Sequence, residues 1–190
     1  MMSQKEKWVK IISDPNNLTV FRIIASPVII VFMLFPNRFC AFMAALVFTI
    51  ASVTDYFDGF LARRNGRVSN FGKAMDPLAD KLLISSPLIM MTSHGWVPAW
   101  MVCVIIGREI AVTGLRNVIA GKGEDVSASN LGKYKTGFQI AAIIPLLLHY
   151  PYFGVNLHAI GTIMIWFALV FTLWSGWDYF SRFKTLFMNE

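Results

Sequence analysis

Long apolar runs separated by short polar breaks set the pattern of this chain. Read against the breakers, they predict six helical spans, at about Leu18–Phe35, Phe39–Ala62, Gly72–Ser93, Val97–Ala120, Leu131–Tyr150 and Asn156–Phe180. Each is close to the roughly 20 residues that cross a bilayer core. The breaks are too short to hold a soluble domain, so residues 1–190 read as a single all-α integral membrane domain. Within residues 1–17, the segment Ser3–Asp14 sets Trp8, Val9, Ile11 and Ile12 among Lys5, Lys7 and Lys10, which predicts a short amphipathic helix in the headgroup layer. The first apolar run is longer than a signal h-region and no small-x-small cleavage site follows it, so the amino end is expected to stay on the protein.

Composition excludes a soluble globule: 56% of the residues are hydrophobic and 15% charged, against about 45–50% and about 25% in soluble domains. The net charge of +6 is concentrated at alternate ends of the spans. Lys5, Lys7, Lys10 and Arg22 lie before or early in the first, Arg63, Arg64, Arg67 and Lys73 between the second and third, Arg116, Lys122, Lys133 and Lys135 around the fourth-to-fifth connection, and Arg182 and Lys184 after the sixth. The opposite connections carry only Arg38. By the positive-inside rule both termini are cytoplasmic, and charge placed this way predicts no nucleic-acid partner. His94, His149 and His158 fall at the other side and read as interfacial polar residues. Cys40 and Cys103, without metal-ligand spacing, read as inert buried packing residues.

Four aspartates, Asp55, Asp58, Asp76 and Asp80, stand in or at the ends of two apolar spans. Insertion costs about 2.5–3.5 kcal/mol for an Asp at a span centre, so these acids need partners, water or a metal, and intramembrane carboxylates default to function. At 100° per residue, Asp55, Asp58, Gly59 and Ala62 share an arc of about 100°, and Gly72, Asp76 and Asp80 one of about 80°. Gly59, Ala62 and Gly72 leave those faces open to close approach, although small-xxx-small helix packing accounts for them equally, as snorkelling does for Arg63. Carboxylates without His or Cys beside them suit a hard cation, Mg²⁺ or Mn²⁺, rather than zinc. Acids in a bundle also mark cation pathways. The outer halves of the spans, such as Val28–Phe35, Leu82–Met91 and Ile140–Leu148, are nearly free of charge and offer no path through the full depth.

The order Asp55-x-x-Asp58-Gly59-x-x-Ala62-Arg63, then Gly72-x-x-x-Asp76-x-x-x-Asp80 after eight intervening residues, resembles the signature of the CDP-alcohol phosphotransferases at every fixed position. Three further segments are similar to the bacterial branch of that family that uses CDP-diacylglycerol and glycerol 3-phosphate: Pro15-Asn16-Asn17-Leu18-Thr19-x-x-Arg22, Gly107-Arg108-Glu109-Ile110-Ala111-Val112-Thr113-Gly114-Leu115-Arg116, and Gly132-Lys133-Tyr134-Lys135-Thr136. The resemblance implies a 3-phosphatidyltransferase in the inner membrane, multi-pass, dimeric, with its active site facing the cytoplasm. It implies one or two divalent ions on Asp55, Asp58, Asp76 and Asp80, with Asp80 the general base. It implies that Asp55, Gly59, Ala62, Arg63, Gly72, Asn17 and Thr19 bind CDP-diacylglycerol. Siblings with other acceptors, such as inositol phosphate, serine or phosphatidylglycerol, share the signature.

An acceptor bearing a phosphate needs a second anion site. Arg108 and Arg116 lie about 12 Å apart along the fourth span and about 80° around it, and Lys133 and Lys135 open the fifth. Arg suits bidentate phosphate recognition and Lys a point charge, so these four are the candidates for glycerol 3-phosphate. Positive-inside topology accounts for Arg116, Lys133 and Lys135 without a ligand, and Glu109 offers Arg108 a purely structural pair.

Overall fold

A computed structural model describes residues 15–65, 70–121, 130–152 and 154–188. The interfacial helix expected over Ser3–Asp14 lies outside them. Among the described residues the fold is six helices: α1 (Pro15–Met33), α2 (Arg38–Asn65), α3 (Asn70–Ser93), α4 (Ala99–Gly121), α5 (Asn130–Leu147) and α6 (Leu157–Met188). Each falls on one of the expected spans. The ends differ. The fifth helix stops at Leu147 and leaves His149 and Tyr150 in the connection, while the sixth runs past Phe180 because nothing in Phe180–Met188 breaks it. Only Leu157–Ser181, among the described residues, is long and apolar enough to cross a membrane by itself; Leu18–Met33 and Arg38–Thr54 are shorter apolar helices. The reason is local: Asp76, Asp80 and Lys81 interrupt α3, Arg108 and Glu109 interrupt α4, and Lys133, Lys135 and Gln139 interrupt α5.

The chain divides into two compact units, Met1–Met90 and Met91–Glu190. In the first, α1 packs along α2. The buried positions Leu18, Ala25, Ile29 and Met33 recur at intervals of seven and four, and α2 buries Ala41, Ala44, Ala45, Phe48 and Ala51. Small residues at such spacing let membrane helices approach closely, where dispersion rather than water exclusion holds them. Asn37 caps α2, its Oδ1 accepting the Cys40 amide at 2.9 Å.

In the second unit α5 lies along α6, and α4 also packs on α6. A Cβ at Gly161 would stand 2.6 Å from Leu146 Cγ and 2.8 Å from the Leu146 backbone nitrogen, so α5 and α6 meet here nearly backbone to backbone. Val112, Leu115, Ile119 and Tyr179 form the buried seam of α4 and α6. The turn into α4 is a Schellman motif: the Trp96 amide donates to the Met91 carbonyl at 2.9 Å and the Gly95 amide to Thr92 at 3.0 Å. It needs the left-handed Gly95, at φ +71°. Outward, α6 shows Ile160, Ile163, Phe167, Val170, Trp174 and Trp177, all exposed. A helix apolar on its open face as well as its packed one belongs in lipid.

One expectation changes. Cys103 is exposed and Cys40 partly so, so neither is a core packing residue; a thiol behaves as a small hydrophobe and sits as readily on an apolar outer face. The three histidines, placed on one side by the sequence, gather around Trp96. His149 Nδ1 lies 3.2 Å from His158 Nδ1, Trp96 stacks on His149 with ring centroids 4.2 Å apart, and His94 sits against Trp96 at 5.1 Å.

Candidate active site

In the first unit, Asp76 and Asp80 lie one turn apart on the same face of α3, and Thr19 and Arg22 one turn apart on α1. Thr19 Oγ1 donates to Asp76 Oδ1. Arg22 Nη2 donates to Asp76 Oδ1 at 3.1 Å, and Arg22 Nη1 donates to Asp80 Oδ1. The Arg22 side chain is 5% exposed, whereas those of Asp76 and Asp80 are 40% and 52% exposed. The structure therefore joins three residues singled out from sequence, Thr19, Asp76 and Asp80. It also adds a role for Arg22, counted from sequence only among the charges that orient the chain: Arg22 is a buried partner of both acids. Asp55, Asp58, Gly59, Ala62 and Arg63 stand on the backbone of α2 and Gly72 on that of α3. Their side chains, like that of Asn17, lie outside those described.

The donor set fits a divalent ion. Asp76, Asp80 and Thr19 offer only oxygen, and both carboxylates are open to solvent, which suits Mg²⁺ or Mn²⁺ over zinc. Among the described residues, no group of three His, Cys, Asp or Glu stands close enough to hold a metal.

In the second unit, Glu109 organises the cations. Its Oε1 accepts from Arg108 Nη1 at 3.4 Å and from Lys135 Nζ. Arg108 Nη2 also donates to Ser175 Oγ at 2.9 Å, and that hydroxyl in turn donates to the Phe171 carbonyl at 2.6 Å. Gly176, the next residue, makes room for the arginine stem: a Cβ there would stand 3.2 Å from Arg108 Cγ. Arg116 is set apart, exposed, with its Cζ 5.8 Å from the Tyr179 ring centroid. The structure thus brings Arg108 and Lys135 together through Glu109 and leaves Arg116 two turns away on α4; the Lys133 side chain is outside those described. Two cations thus meet on one carboxylate oxygen.

A family model described as CDP-alcohol phosphatidyltransferase matches residues 13–174. The chain belongs to the CDP-alcohol phosphatidyltransferase family. It is 47% identical to the CDP-diacylglycerol–glycerol-3-phosphate 3-phosphatidyltransferase of Bacillus subtilis (strain 168), with 88% of this chain and 93% of the relative covered. It is 39% identical to the proteins of the same name from Rickettsia typhi, with 91% and 98% covered, and from Shigella flexneri serotype 5b, with 93% and 97% covered. The CDP-alcohol phosphatidyltransferases are membrane enzymes that generally use divalent metal ions. The span that defines the family here takes in the acids, Thr19, Arg22, Arg108, Glu109 and Lys135, and stops one residue short of Ser175. Sequence reasoning passed over Glu109 as a site residue although it stood beside Arg108. Ser175 and Gly176 gave no signal at all, because a serine and a glycine in an apolar span are ordinary helix-packing residues.

Proposed function

We propose that the chain transfers the phosphatidyl group of CDP-diacylglycerol to glycerol 3-phosphate, giving phosphatidylglycerophosphate and CMP in the bacterial inner membrane. The observation that carries this reading is 39–47% identity, over most of each chain, to proteins named for that reaction. The Arg108–Glu109–Lys135 group, a positive cluster suited to a phosphate-bearing acceptor, supports it.

In this reading all 190 residues form one domain of six spans, with both termini and the active site on the cytoplasmic side, residues 1–17 at the interface, and two chains in the working assembly. Asp55, Asp58, Asp76 and Asp80 hold one or two Mg²⁺ or Mn²⁺ ions. An ion held by these residues would supply neutralisation of the pyrophosphate charge and polarisation of the phosphorus. Asn17, Thr19, Gly59, Ala62, Arg63 and Gly72 seat the donor, together with Asp55. Asp80 takes the proton from the acceptor hydroxyl; that oxygen bonds to the phosphorus carrying the diacylglycerol, and CMP leaves with the electrons of the broken P–O bond. Arg108, Arg116, Lys133 and Lys135 bind the acceptor phosphate.

The test is CMP release from CDP-diacylglycerol by the purified chain across a panel of acceptors. Glycerol 3-phosphate should be used and free glycerol hardly at all. Arg108→Ala should raise the acceptor KM about 30-fold or more, as expected when a buried charged partner is lost, with the donor KM nearly unchanged. Loss of donor binding in that variant, with turnover of a phosphate-free acceptor, would favour a sibling transferase instead.

A further inference from the structure

Arg22 lies outside the donor set expected for the metal, yet it touches two members of it. A buried guanidinium must be compensated, because leaving it unpaired costs far more than an exposed charge. Its compensation comes from Asp76 Oδ1, 3.1 Å from Nη2, and Asp80 Oδ1, bonded to Nη1. These are carboxylate oxygens that a divalent ion on the same acids would need, and Asp76 Oδ1 already accepts from Thr19 as well. The burial is lopsided: the arginine is enclosed while the acids are open to solvent. An ion arriving from water therefore meets the carboxylates more readily than the arginine.

We propose that Arg22 is an exchangeable internal counter-cation for Asp76 and Asp80. Its guanidinium and a divalent ion compete for the same oxygens, and the displaced guanidinium becomes a donor to a phosphate of the liponucleotide. This rests on the reading of Asp76 and Asp80 as metal ligands. Two carboxylates one turn apart repel each other, and the arginine holds them in place as a single positive charge. A divalent ion brings twice that charge at shorter range. The freed guanidinium keeps its charge and its planar fork, which matches phosphate oxygens in pairs. Metal and donor binding are then coupled, each favouring the other, because the same side chain leaves one partner for the next.

The experiment measures Mn²⁺ binding to the full chain in detergent, without substrate, from the paramagnetic resonance signal of the free ion. Arg22→Gln should bind Mn²⁺ about tenfold tighter than wild type, the effect of removing a competing charged hydrogen bond, while its KM for CDP-diacylglycerol at saturating Mn²⁺ rises. Arg22→Lys, which keeps the charge and loses the fork, should fall between. Lys81→Gln controls for bulk charge: its ammonium bonds the Pro77 carbonyl at 3.1 Å, so the change should be far smaller. Asp76→Asn should lose Mn²⁺. Unchanged or weaker Mn²⁺ binding in Arg22→Gln, with Asp76→Asn defective, overturns the exchange and leaves the metal reading standing; normal Mn²⁺ binding in Asp76→Asn overturns the metal reading itself. If Arg22→Gln does not fold, Arg22→Lys decides, and Mn²⁺ affinity equal to wild type there overturns the exchange.

Discussion

His149 sits against His158, Trp96 and Tyr150, and burial, with the positive charges that His158 and His94 carry when protonated, pushes its imidazole below the usual 6.5. The fold therefore favours the neutral ring. A histidine lowered in the native state contributes stability that is present above the unfolded value and lost as pH falls through the native one. Thermal stability in detergent should accordingly drop as the pH falls below about 6.5, and His149→Gln should flatten that dependence; an identical slope in the variant would assign it to other groups. Single residues were legible in the sequence to different depths. Asp76 and Asp80 stood out by spacing and by the cost of acids in apolar helices, and Thr19 only by the resemblance of its segment. Arg22 stood in the same Thr19-x-x-Arg22 segment but looked like a topology charge, because only the return of α3 beside α1 gives it two acids to hold. Ser175 was invisible: its role is set by an arginine 67 positions away.

Elements were easier to read than contacts. Apolar runs and breakers placed all six described helices, and only the ends moved, as at Leu147, where Tyr150 looks apolar but sits beyond the last turn. What a hydropathy pattern does not carry is which helices touch. Gly161 is a case: in the sequence it is one glycine among many, and in the structure it is where α6 meets the backbone of α5. Gly161→Ala should lower the melting temperature, because the added methyl meets the Leu146 backbone nitrogen, which cannot step aside as a side chain would; overpacking of this kind typically costs about 1–3 kcal/mol. Thermal unfolding of the two proteins in the same detergent checks it, and equal midpoints would mean that α5 and α6 part there without cost. Gly176 faces a softer neighbour, the Arg108 stem at 3.2 Å. A side chain at that position presses on the Arg108 stem rather than on a helix backbone.

At the scale of the whole molecule the chemistry is divided: acids, Thr19 and Arg22 belong to Met1–Met90, and the Glu109 cation group to Met91–Glu190. That division was not readable from composition. It follows from where side-chain pairing compensates the charges, acid to arginine in one unit and cations to one glutamate in the other. The unequal apolarity of α5 and α6 has a consequence for how the chain is made. The sixth helix is apolar enough to enter a bilayer unaided, and the fifth, with Lys133, Lys135, Gln139 and Pro145 in 18 residues, is not. If α5 enters a bilayer, it is expected to do so only together with α6, as a hairpin closed at Gly161. A ribosome-released chain ending at Pro151 should leave α5 accessible to protease on membrane vesicles, and one ending at Ser181 should protect it.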